Sequence, residues 1–142
     1  MTGPGGCLLD TNVLSETRKK RPDAGVIEFL ESKADSELYL SVLTIGEFRK
    51  GVLAKGREER EAGARLSAWV DRLEESFADR ILNIELPIAR QWGEWSSERP
   101  RPVIDTLLAA TALVHGLALV TRNVRDVADL PVKTVNPWRQ PG

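Results

Sequence analysis

The chain has 142 residues, 42% of them hydrophobic and 29% charged, enough to bury one core and short for two. Twenty Lys and Arg stand against twenty-one Asp and Glu, and a net charge of -1 excludes a general attraction to nucleic acid, so any such binding has to be local. The only cysteine, Cys7, excludes an intramolecular disulfide. No apolar run reaches the ~18 residues of a membrane span, and nothing at the N-terminus reads as a secretory leader, so a cytoplasmic setting is expected.

Residues 1–6, rich in glycine, read as a flexible lead-in to one domain over 1–142. Cys7, Leu8 and Leu9 form a short apolar run, a buried strand that ends in a turn at Asp10, and a helix is predicted over 11–16. The basic run Arg18, Lys19, Lys20 and Arg21 is either a solvated loop or a place to neutralise phosphates, as are Arg99 and Arg101 further on. Residues 38–42 have strand composition, and Thr44 is expected to cap a helix running through Gly51 and carrying Glu47. From 57 to 79, Ala62, Leu66, Trp69, Val70, Leu73 and Phe77 recur at helical spacing, a stripe suited to the core or to a homodimer face. A strand over 81–84 precedes a helix opened by Pro87 and carrying Trp92 and Trp95, which has to stop before Pro100. An apolar helix over 103–115 ends at Gly116, and strands follow over 117–120 and 132–135. Short apolar strands alternating with helices predict an α/β fold with a mainly parallel central sheet and helices on both faces. In such sheets ligands bind beyond the carboxyl ends of the strands, where Asp10 and Thr121 fall.

Four acidic residues stand out. Asp105 shares a helix face with Leu108, Ala109 and Ala112, so its carboxylate is at least partly buried and needs a partner, unless it caps the helix. Asp10 emerges from a strand end beside Asn12, a capping position as well as a site position. Glu47 lies opposite Ile45, Phe48 and Val52 and faces solvent or a cleft, with Gly51 leaving space beside it. Asp126 follows a strand in a polar loop, where a solvated turn is the alternative. If the four converge, their repulsion calls for a cation. Oxygen ligands suit Mg²⁺ or Mn²⁺, and the lack of Cys and His clusters disfavours zinc. His115, at a helix end, suits carbonyl stabilisation better than catalysis. No Ser/His/Asp set, reactive Cys/His pair or phosphate-binding Gly-Lys loop is evident.

Taken in order, Leu-Leu-Asp-Thr-Asn-Val-Leu-Ser-Glu from Leu8, Thr-Ile-Gly-Glu-Phe with Gly51, Pro-Val-Ile-Asp-Thr-Leu, and Leu-Val-Thr-Arg-Asn-Val-Arg-Asp resemble the PIN-domain nucleases over nearly the whole chain. Within them the chain is most similar to the VapC toxins of toxin-antitoxin pairs, in the FitB-like branch, and Asn136-Pro137-Trp138 is similar to their tails. The resemblance implies Mg²⁺- or Mn²⁺-dependent cleavage of RNA, with Asp10, Glu47, Asp105 and Asp126 at the acidic positions and Asn12 and Thr121 in support. It also implies a VapB-like antitoxin partner. Asn123, where some relatives carry a further aspartate, and Val127, where phenylalanine is common, depart from the pattern. Two other readings compete. A phosphatase of the haloacid dehalogenase type needs a second aspartate where Asn12 stands, and a catalytically silent PIN-like module would leave Asp105 without a role.

Overall fold

The computed structural model describes residues 5–139. Strand β1 (Cys7–Leu9) leads into helix α1 (Thr11–Thr17) and then α2 (Ala24–Glu31); β2 (Leu38–Ser41) is followed by α3 (Val42–Glu58) and α4 (Arg60–Ser76). Strand β3 (Ile81–Leu82) precedes α5 (Leu86–Glu98) and α6 (Val103–His115), and β4 (Ala118–Val120) and β5 (Thr134–Val135) complete the set. The strands form one sheet in the order β3-β2-β1-β4-β5, every pairing parallel, with Leu8 opposite both Tyr39 and Leu119. This is the expected α/β architecture.

Strand alternation assigns the helices to the two faces. Cys7 and Leu9 point into a core with Val13, Val26, Phe48, Val70 and Leu73, so α1 to α4 cover that side. Leu8 points the other way, into a core with Ile88, Trp95, Leu108 and Ala112 from α5 and α6. Leaving β1, the chain steps outward to β2 and β3, and later returns to lay β4 on the opposite edge of β1. The order therefore reverses beside β1, and the carboxyl ends of β1 and β4 open side by side at the switch point.

Several local expectations change. Thr44 does not cap α3: Ser41 does, its hydroxyl accepting from Leu43 N at 3.0 Å, while Thr44 is fully buried one turn further on. Helix α3 runs on to Glu58, and a single extended residue, Glu59, separates it from α4, so the helix predicted from 57 begins at Arg60. Helix α2, absent from the sequence reading, starts behind Asp23, whose carboxylate accepts from Gly25 N and Val26 N. Gly51 faces α4, where a Cβ would meet Leu66 in ordinary contact at 3.8 Å. Of the predicted lead-in, residues 1–4 lie outside the described residues, and Gly6 is tied in, its carbonyl accepting from Ala118 N at 3.0 Å. Gly116 ends α6 in the left-handed region at φ 67°, as its position predicts.

Candidate active site

Asp10 is buried at the end of β1, its own N–H donating to Val120 O of β4. Its Oδ1 accepts from Thr11 N at 2.7 Å, so it does cap α1. Its Oδ2 accepts from Thr121 Oγ1 at 2.7 Å and from Asn12 Nδ2 at 3.4 Å. Cap and site are thus the same carboxylate, one oxygen for each. Thr121 in turn accepts from Asn123 N at 2.9 Å, and Asn12 Oδ1 accepts from Arg122 N at 3.4 Å, so the loop after β4 is laced to the helix after β1. Asn12 and Thr121, expected in support, both donate to the Asp10 carboxylate.

Asp105 is not a cap, because α6 begins behind Pro102 and the carboxylate sits in the third helical position, half-buried. Its pKa is pushed up to about 6, first by burial, then by Asp10 and Asp126, by a hydrogen bond shared with Asp126, and by Glu47. Burial likewise raises Asp10, against the opposing effect of its Thr121 and Thr11 hydrogen bonds. Glu47 is exposed on α3 and reaches back to α1, its Oε1 accepting from Thr11 Oγ1 at 2.6 Å. Asp126 is exposed in a single 3-10 turn over Val124–Val127. Asp10, Glu47 and Asp105 therefore stand around one place, with Asp10 and Asp105 the less exposed and Asp126 beside Asp105.

Asp10, Glu47 and Asp105 line an open cleft of about 420 Å³ together with Glu16, Arg122 and Trp138. Its oxygen-only acids suit a hard cation, and the raised Asp105 is the charge surplus such an ion would relieve. Among the described residues, no three His, Cys, Asp or Glu side chains are grouped so that they could hold a metal ion as they stand.

Of the basic run, Lys19 lines the cleft but pairs with Glu16 at 2.9 Å, and Arg18 lies over the Trp69 ring, 5.2 Å from its centroid. Lys20 and Arg21 are exposed. Arg99 and Arg101 both pair with Asp129, and the Arg101 side chain is buried, with its Nε also donating to Trp95 O. His115 closes α6 ten residues beyond Asp105, about 15 Å along the axis, and stands 3.8 Å from Glu85. Sequence reasoning missed Glu16, Arg122 and Trp138 as cleft residues; the Asn-Pro-Trp tail was the one signal available for Trp138.

A family model described as PIN domain matches residues 7–131. The chain is 32% identical to VapC ribonuclease Y4jK of Sinorhizobium fredii, over 92% of this chain and 96% of that one. It is 33% identical to Toxin FitB of Neisseria gonorrhoeae, over 92% and 97% respectively. A solved toxin-antitoxin complex from Klebsiella pneumoniae contains a chain that superposes with a TM-score of 0.67 at 28% identity, covering 95% of this chain and all of that one.

Proposed function

The chain belongs to the PIN-domain family, and from that premise we propose that it is a metal-dependent RNA endonuclease acting as the toxin of a toxin-antitoxin pair. The observation that carries this reading is the gathering of Asp10, Glu47 and Asp105 in one open cleft at the carboxyl ends of β1 and β4, with Asp126 beside Asp105. Asp10 and Asp105 would hold Mg²⁺ or Mn²⁺, which when bound supplies positive charge to polarise a phosphodiester and acidify a water.

The protein's own groups do the rest. Thr121 and Asn12 fix the Asp10 carboxylate, so little order has to be created when it binds. Thr11 occupies one Glu47 oxygen, which aims the other at the cleft to orient the attacking water and take its proton. Asp126, beside Asp105, would meet the ion directly or through a water. The VapB-like partner belongs to the same proposal: the antitoxin would cover this cleft, and the complex from Klebsiella pneumoniae supports it.

Cleavage ends mapped across total cellular RNA with Mg²⁺ test the proposal. Wild-type protein is expected to produce discrete ends, and Asp10→Asn and Asp105→Asn, folded by circular dichroism, none. Undiminished cleavage by either purified variant would remove that residue from the centre. Phosphate release from small phosphoesters without RNA cleavage would instead favour the phosphatase.

A further inference from the structure

Beside the acids, α3 borders a second surface. Val42, Leu43, Gly46, Glu47 and Lys50, with Ile104 from the start of α6, line an open groove of about 460 Å³. Both of its walls run into the acidic centre: Glu47 lines groove and cleft alike, and Ile104 immediately precedes Asp105. Leu43 and Ile104 are half-buried and pack against the core under α5 and α6, so the apolar walls are already in place. Gly46 is exposed within the helix, and a Cβ there would meet nothing within 4 Å. Packing inside the chain therefore gives no reason for a glycine that weakens α3, whereas a side chain at this position would stand in the groove. Lys50 follows Glu47 by one turn. It is exposed and has neither an ion pair nor a hydrogen-bond partner among the described residues. Its neighbour Arg49 pairs instead with Asp71 and Glu74 of α4, and Lys19 of the cleft pairs with Glu16.

An apolar slot with an unpaired cation along it complements a nucleotide, whose base buries flat faces while its phosphate carries the charge. A bound strand is continuous, so when one phosphate stands at the acids, the next nucleotide has to lie on a surface that adjoins them. The groove is such a surface, and it accepts a base only if that base is unstacked, as in a single strand. Lys50 is ~4.5 Å beyond Glu47 along the helix axis, which sets its ammonium beside the neighbouring phosphate. We propose that this groove receives the base next to the scissile phosphate of single-stranded RNA, with Gly46 as a specificity-determining position and Lys50 holding the flanking phosphate. This rests on the ribonuclease reading.

The test measures anisotropy of a fluorescein-labelled single-stranded RNA oligonucleotide, with Asp10→Asn in every protein to block cleavage, and maps cleavage ends with the uncombined variants. Lys50→Gln is expected to lower affinity about tenfold and to reduce the slope of log K against log salt by about 0.7. Gly46→Leu is expected to melt no lower than the wild type, because its position is open and leucine favours a helix. It should also lower affinity about tenfold, but with the salt slope unchanged, and alter which bases flank the cleavage ends. An unchanged slope in Lys50→Gln overturns the phosphate contact, and unchanged affinity and cleavage ends in Gly46→Leu overturn the base subsite. Sedimentation of the same proteins covers another occupant: a dimer that Gly46→Leu turns into a monomer, with RNA affinity intact, would assign the groove to a second copy and overturn the proposal. If the wild-type chain cuts RNA and both variants match it, only this inference fails. If the wild type neither binds nor cuts RNA, the ribonuclease reading fails and takes this inference with it.

Discussion

At Asp105, a carboxylate is held in the fold with its pKa near 6 against 3.8 in the open chain, so the native state binds the extra proton. Metal-free stability then falls as pH rises from about 4 to about 6 and levels off above, by an order of 2 kcal/mol. Asp10, raised by burial, adds in the same direction. Thermal melts in chelator at pH 5 and pH 7 should show the lower Tm at pH 7, and Asp105→Asn should flatten the difference. An unchanged difference in that variant would place the titration elsewhere. Asp105 was legible because an aspartate amid Leu108, Ala109 and Ala112 cannot sit there without a reason. Arg122 and Glu16 were not, because only the folded chain brings them into one cleft with Trp138, 16 and 122 positions away along the chain.

Among the elements, helix α3 carries a cost that can be read directly. Thr44 is fully buried and its hydroxyl has no hydrogen-bond partner among the described residues, while Ser41 does the capping. Thr44→Val keeps the shape and removes the stranded oxygen, so it should raise stability by about 1 kcal/mol in urea unfolding; a loss of stability would mean that the hydroxyl is satisfied. The sequence reading chose Thr44 because both hydroxyls precede apolar periodicity, and cap position depends on where the strand releases the chain, which spacing does not encode. Helix α2 escaped for a related reason: it is eight residues long with a single fully buried position, Val26, and its main fixture is the tail of the chain. The long strongly patterned helices, α4, α5 and α6, were legible within a few residues.

For the whole molecule, the parallel sheet and its two helical layers followed from the alternation of short apolar runs with helices, and the site followed from its switch point. The tryptophans do not argue for a homodimer: Trp95 is buried in the chain's own core and Trp69, Trp92 and Trp138 are half-buried, whereas the exposed large apolar residues are Leu53, Leu86, Val103, Leu113 and Val114. No helix among the described residues is long and apolar enough to cross a membrane. Because Asp10, Glu47 and Asp105 line one cleft, an ion that neutralised them would stabilise the entire fold. Mg²⁺ at about 100 times its Kd should add about 2.7 kcal/mol, seen as a rise of several degrees in Tm. Asp10→Asn and Asp105→Asn should lose most of that rise, and an equal rise in both would locate the ion somewhere else.

The hydrogen bond from Thr121 to Asp10 joins residues 111 positions apart, and Trp138 lies further still along the chain. During synthesis, residues emerge from the ribosome one after another, Asp10 well before Thr121, Asp126 and Trp138. The contacts that fix the Asp10 carboxylate therefore cannot form until the chain beyond β4 has been made.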